Sequence, residues 1–209
     1  MQPIVVIGAG GFAREVADVI HAINAVNPMY TLLGYLDDNA ERWGGILNDF
    51  PILNGFVWAE AHQDVAYVCG IGNPVTRKKV VERYMTLDVT FATLIHPRSI
   101  TTRYIQYGRG VVVTGGAVLT NSIQIGNHVH INLNTTIGHD STIGDYCTLN
   151  PGVHVSGNVT LGEGCELGTG AAIIQGRTVG AWTTVGAGAV VVRDLPANVT
   201  AVGVPARVK

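Results

Sequence analysis

In the stretch TTIGHDSTIGDY, residues 135–146, a histidine stands beside a carboxylate, His139–Asp140, where the adjoining copy of the same phrase has Asp145–Tyr146. An imidazole exchanges a proton near neutral pH, and an adjacent carboxylate can orient it and stabilise its cation, as a general base requires. Gly157 follows at a spacing of 18 residues. It leaves backbone N–H and room beside the same edge, which suits a slender thioester. A solvated surface histidine is the plainer alternative.

The remaining histidines offer less. His128 and His130 are two apart and point to different sides of one turn of chain, and His154 faces elsewhere again. A zinc site of the β-helical carbonic anhydrase kind needs two histidines on one side and a third from a neighbouring subunit, so no metal is expected. The three cysteines, Cys69, Cys147 and Cys165, have no metal-type pairing and read as reduced thiols. A covalent cysteine route is unattractive, because Cys147 and Cys165 take the small inward position of a repeat.

A second chemical signature is VIGAGGFARE, in which Gly8, Gly10, Gly11 and Phe12 lie between a strand and a helix. Backbone N–H groups and the positive end of a helix dipole at such a turn suit phosphate. Asp37 and Asp38 come late for the acid of a full dinucleotide fold, so a turn without a ligand is the alternative. In IGNPVTRKK, Gly72 and Asn73 could close over the same ligand. Arg77 or Lys78 could meet phosphate, or TRKK is simply a solvated helix face.

Two kinds of element must position these groups. Up to about Ile95 strands alternate with helices. PIVVIGAG and YTLLGYLDD read as strands, FAREVADVIHAI as a helix with apolar spacing at Val16, Val19, Ile20 and Ile23, and PVTRKKVVERYM as a helix opened by Pro74. This predicts a small parallel sheet, domain 1–95. From Val113 every sixth residue through Val191 is aliphatic, without a miss. A chain that turns a corner every six residues makes three-sided coils, so residues 18 apart stack about 4.8 Å apart. The second domain, 96–209, is therefore a parallel β-helix. His139 falls on a corner of it, with Gly157 one coil above.

Composition narrows the class. Of 209 residues 47% are hydrophobic and only 13% charged, with 27 glycines, which suits tightly turning β structure. A net charge of −2 argues against nucleic acid. No basic leader or long apolar run is read, so a cytoplasmic protein without membrane insertion is expected.

The order VIGAGGFAREVADVI, GYLDDN, GIGNPVTRKKV, LIHP, IGHD and VGVPARV resembles the PglD/NeuD family of bacterial sugar acetyltransferases over essentially the whole chain. The resemblance implies a small Rossmann-like domain for a nucleotide-sugar and a left-handed β-helix assembled as a homotrimer. It also implies acetyl-CoA in the groove between neighbouring β-helices and an active site drawn from two subunits. By the same resemblance His139 is the catalytic histidine, Asp140 its acidic neighbour, and Gly157 the glycine whose N–H meets the thioester. Thr169 and Ala187 line the CoA groove, Asp37 and Asp38 lie near nucleobase and ribose, and Gly10, Gly11 and Phe12 form the diphosphate turn. The terminal GVPAR resembles the segment that helps seat CoA. Two departures stand out: Phe12 replaces a histidine found in some members, and Thr148 replaces a second histidine close to the acetyl group. The departures fit a sub-branch with another amino-sugar or a hydroxyl acceptor, while the resemblance as a whole implies direct N-acetylation of a nucleotide-linked 4-amino-4,6-dideoxy sugar, with His139 as general base and acetyl-CoA as donor. Sugar O-acetylation is the alternative, and a non-catalytic nucleotide-sugar scaffold is the alternative from another class.

Overall fold

The computed structural model describes all 209 residues, which divide into two compact units, Met1–Pro97 and Arg98–Lys209.

The first unit is built on β1 (Gln2–Ile7), whose Ile4, Val5 and Val6 are fully buried. A continuous apolar run of this kind suits a strand covered on both faces. Next come α1 (Gly11–Val26), β2 (Tyr30–Leu36), β3 (Ile46–Leu47), β4 (Phe50–Leu53), α2 (Gly55–Glu60), β5 (Ala66–Cys69), α3 (Pro74–Tyr84) and β6 (Thr90–Phe91). The sheet order is β3-β4-β2-β1-β5-β6, parallel apart from the β3–β4 hairpin. β1 therefore has β2 on one side and β5 on the other. The chain reverses its winding there, where open α/β sheets form a crevice at their strand ends. α1 buries Ala13, Val16, Ala17, Val19 and Ile20, a helical stripe. Gly70 lets α1 come close, because a Cβ there would stand 2.6 Å from Ala13 Cα.

The second unit is a parallel β-helix. Two-residue strands such as Thr136–Ile137, Thr142–Ile143 and Thr148–Leu149 pair in register with residues 18 away. Its inward aliphatics, among them Ile131, Ile137, Leu149 and Leu167, are fully buried. Each contributes roughly 1.5–3 kcal/mol on leaving water. The outward residues form three faces. The first carries Val118, Thr136, His154, Ala172 and Val190; the second Gln106, Gln124, Thr142, Thr160 and Thr178; the third His130, Thr148, Glu166 and Thr184.

Two details depart from the hexad reading. Ile105–Tyr107 already pairs with Ile123–Ile125, so the helix begins before Val113, with an aromatic Tyr107 at the inward register. The last coil is two residues short, since Leu195 bridges to Val179 and Ala201 pairs with Val185. Nearly every corner turns through a residue of positive φ, and these residues are not all exposed: His128 (φ 54°) is fully buried and Tyr146 (φ 58°) nearly so. Their rings stack at 5.4 Å and 10°. Stacking holds these bulky residues in a backbone region that L side chains avoid.

Candidate active site

In the first unit a cleft of about 410 Å³ opens where β1, β2 and β5 end. It gathers Gly10, Gly11, Phe12, Asp37, Asp38 and Gly72 of the expected residues. α1 starts there with Gly10 as its N-cap, no side-chain cap and no acid in its first turn. The first N–H groups of the helix are thus not satisfied by a capping side chain, and its positive end is not neutralised. A Cβ at Gly10 or Gly72 would meet nothing in the chain, and φ is not positive at either. The fold does not require glycine at these two places; a ligand lying close against the backbone would.

Asp37 Oδ1 accepts from Asn39 N at 2.9 Å, and its Oδ2 pairs with Arg42 Nη1 at 2.5 Å. Asp38 accepts from Phe56 N at 3.1 Å and from Arg83 Nη1 at 2.8 Å. Asn73 does not line the cleft. Its side chain caps α3 by accepting from Thr76 N at 2.9 Å, and Thr76, Val80 and Tyr84 line the cleft instead. These three were missed because they follow the motif on one face of α3, one helical turn apart (76, 80, 84), where only the charges drew attention.

Arg77 corrects the reading of TRKK. It is neither solvated nor turned to a ligand: it is fully buried and donates to the carbonyls of Ile71 (2.9 Å) and Gly72 (2.7 Å). A loop with inward carbonyls needs buried donors, and a guanidinium supplies several at once.

In the second unit His139 and Asp140 occupy the corner between the first and second faces. His139 Nδ1 lies 2.8 Å from Asp140 Oδ2, and both side chains are more than half exposed. Because an ionised carboxylate only accepts, Nδ1 carries the proton and Nε2 presents its lone pair. Asp140 sits at φ 59°, a conformation that short polar residues tolerate. An exposed pair of this kind contributes about 1 kcal/mol or less, so its effect is orientation. The ring lies on Gly157, where a Cβ would stand 2.7 Å from Nε2. Gly157 is therefore covered by the imidazole, not open as expected, and its own N–H donates to nothing in the chain.

Thr169 and Ala187 are exposed and stacked, with Gly188 N donating to Thr169 O at 2.9 Å. They occupy the corner between the third and first faces, across the first face from His139. His154 stands exposed on that face, with Nδ1 2.9 Å from Thr136 Oγ1. Thr148 is on the third face and only 2% exposed. Within one chain, then, these residues are not gathered at a single point. Cys69, Cys147 and Cys165 have no exposure. Burial pushes the Cys69 thiol up to about 11, while a hydrogen bond from Cys147 lowers that of Cys165. No group of three His, Cys, Asp or Glu side chains is placed to hold a metal, and no helix is long and apolar enough to cross a membrane.

Comparison with known proteins places both units. Residues 3–84 match the PglD N-terminal domain, and residues 140–175 match the bacterial transferase hexapeptide repeats. No curated protein sequence matches. Among solved structures, the acetyltransferase domain of PglB from Neisseria gonorrhoeae is 32% identical, with a TM-score of 0.92 over 100% of both chains; it has also been solved with acetyl coenzyme A. A perosamine N-acetyltransferase from Caulobacter crescentus, in complex with CoA and GDP-perosamine, is 31% identical, with a TM-score of 0.90 over 100% of this chain and 97% of the other. WeeI from Acinetobacter baumannii AYE is 30% identical, with a TM-score of 0.89 over 100% of both chains. Similarity at this level runs through the Rossmann-like unit and the whole left-handed β-helix, and the chain belongs to the PglD-type family of bacterial sugar acetyltransferases.

Proposed function

We propose that this protein transfers the acetyl group of acetyl-CoA directly to the amine of a nucleotide-linked 4-amino-4,6-dideoxy sugar. One observation carries the mechanism: His139 is held by Asp140 in the tautomer whose Nε2 is free to accept, at an exposed corner of the coil. As the amine attacks the thioester carbonyl, Nε2 takes its proton and Asp140 steadies the resulting imidazolium. The new C–N bond forms as the C–S bond breaks and CoA leaves. An oxyanion at the carbonyl needs a donor that is not already used, and the N–H of Gly157 is one.

The cleft of the first unit suits the nucleotide. Phosphates fit the Gly10–Phe12 turn, and Asp37 and Asp38 offer acceptors for ribose and base. The related Caulobacter enzyme, solved with CoA and GDP-perosamine, supports an amino-sugar acceptor. Thr169 and Ala187 are assigned to the CoA groove, and Thr148, on another face, reaches an acetyl group only from a second copy of the chain. The assembly proposed is a homotrimer acting in the cytoplasm.

The test is CoA release followed with a thiol reagent, using UDP-, GDP- and dTDP-linked 4-amino-4,6-dideoxyhexoses and a free sialic acid, with His139→Ala alongside. Release with one amino sugar, lost in the variant, is expected. Release with sialic acid alone makes the reaction O-acetylation. No binding of acetyl-CoA makes the protein a scaffold.

A further inference from the structure

We propose that Arg42 is the phosphate-binding cation of the cleft in the first unit, a role that rests on the nucleotide-sugar reading of that cleft. Arg42 ends a short turn, Ala40–Arg42, whose entry is capped by Asn39 accepting from Glu41 N at 3.1 Å. The turn carries its guanidinium back across the chain to the glycine turn. Nη2 donates to Ala9 O at 2.7 Å, and Nη1 to Asp37 Oδ2 at 2.5 Å. Arg42 does not itself line the cleft, but its guanidinium, partly exposed, ties together two residues that do, Ala9 of the glycine turn and Asp37, the acid that suits ribose.

Donor counting supports the role. A guanidinium has five N–H groups, and Arg42 uses two bonds within the chain. The rest are available to phosphate oxygens without release of Asp37 or Ala9. Because both ends are already held, little side-chain freedom is lost when a ligand arrives. The opposite arrangement, a ligand that pulls Arg42 off Asp37, is less favourable because it would leave a half-buried carboxylate without its cation.

The other arginines beside residues that line the cleft are less suited. Arg77 is fully buried on the carbonyls of Ile71 and Gly72. Arg83 is paired with Asp38 and lies over the Phe56 ring at 4.2 Å. Arg14 is the competitor, since its Nη2 would stand 3.9 Å from a Cβ at Gly11. It is exposed and held by no hydrogen bond or ion pair, so its ordering on a ligand costs more.

The experiment is calorimetric titration of the full chain with GDP, UDP and dTDP, and NMR titration with guanosine, uridine and thymidine. Wild type, Arg42→Gln, Arg42→Lys and Arg14→Gln are compared, with circular dichroism confirming the fold. Arg42→Gln is expected to weaken the preferred diphosphate on the order of ten- to a hundredfold, the worth of one or two charge-assisted hydrogen bonds, and to change nucleoside binding by less than about threefold. Arg42→Lys should fall between, because an ammonium cannot span both partners. Unchanged diphosphate binding in Arg42→Gln, or an equal loss for the nucleoside, overturns the proposal; so does a larger loss in Arg14→Gln. A wild-type protein that binds no nucleoside diphosphate overturns the nucleotide-sugar reading as well, which separates the two failures.

Discussion

Replacing Gly157 by alanine tests whether the observed position of His139 is the working one. The added Cβ would stand 2.7 Å from Nε2 and 2.8 Å from Cε1, against an ordinary contact of at least 3.4 Å, so something moves by 3.4 − 2.7 = 0.7 Å. The backbone cannot easily give way. It is stitched by Asn158 N to His139 O (2.7 Å) and Gly176 N to Gly157 O (3.1 Å), and the Cβ position of Gly138 is only 2.5 Å from Gly157 N. The ring is over half exposed and is opposed only by its bond to Asp140, which is worth about 1 kcal/mol or less. The ring moves. A displacement approaching 1 Å in a catalytic group costs on the order of tenfold to a hundredfold in rate, equivalent to about 1.4–2.7 kcal/mol of barrier. Stability should hardly change, because φ at Gly157 is not positive and alanine loses less chain entropy than glycine on folding. The assay is kcat for CoA release with the best acceptor of the panel, beside a thermal melt. Wild-type kcat in the variant would refute the reasoning, and so would a melting temperature lowered by many degrees.

Four further outcomes follow from the geometry. Gly10→Ala should change stability by less than about 1 kcal/mol, the chain-entropy gain being offset by the poorer N-cap, while weakening nucleotide binding, and Gly70→Ala should cost about 1–3 kcal/mol by driving a Cβ to 2.6 Å from Ala13 Cα; urea unfolding and calorimetry separate the two. Arg77→Met strips the side-chain donor from two carbonyls and should destabilise the first unit by about 2–4 kcal/mol in urea. With its pKa raised to about 11, Cys69 stays a protonated thiol until the pH approaches that value, and all three cysteines are buried; iodoacetamide at pH 8 should label none in the native protein and all three in denaturant, by mass spectrometry.

The hexad register made the β-helix legible because each coil repeats one physical constraint, an aliphatic residue in a narrow prism. The glycine turn was legible for a similar reason: glycine between strand and helix is a local backbone signal. What stayed hidden depends on contacts between residues distant in sequence. Arg42 reaches Ala9 across 33 residues, and nothing local to NAERW announces it. Arg77 looked like one of three exposed charges, yet the carbonyls of a loop that precedes it decide its burial. His128 and Tyr146, at the next corner round the coil, share the positive φ of Asp140, but stacked rings bury them while Asp140 stays in solvent. Periodicity assigns a residue to a corner; only packing says whether that corner is wet.

The separation of the assigned groups on the β-helix bears on assembly. His139 and Gly157 edge one side of the first face, Thr169 and Ala187 the other, and Thr148 is on the third face. A pantetheine arm cannot run along both corners of one chain at once, so in the proposed trimer a groove would take its histidine from one copy and its Thr169 corner from a neighbour. Two inactive variants should then rescue each other. His139→Ala removes the proposed base, and Thr169→Trp would fill the proposed groove at an exposed corner without touching the core. Unfolded together at equal amounts and refolded, a closed ring with sites between copies leaves about a quarter of its sites with both native residues. Recovery of about a quarter of the wild-type rate is expected, beside a trimer mass by light scattering. If His139 and Thr169 served the same groove from the same chain, no mixed site would contain both, and the mixture would stay as inactive as its components.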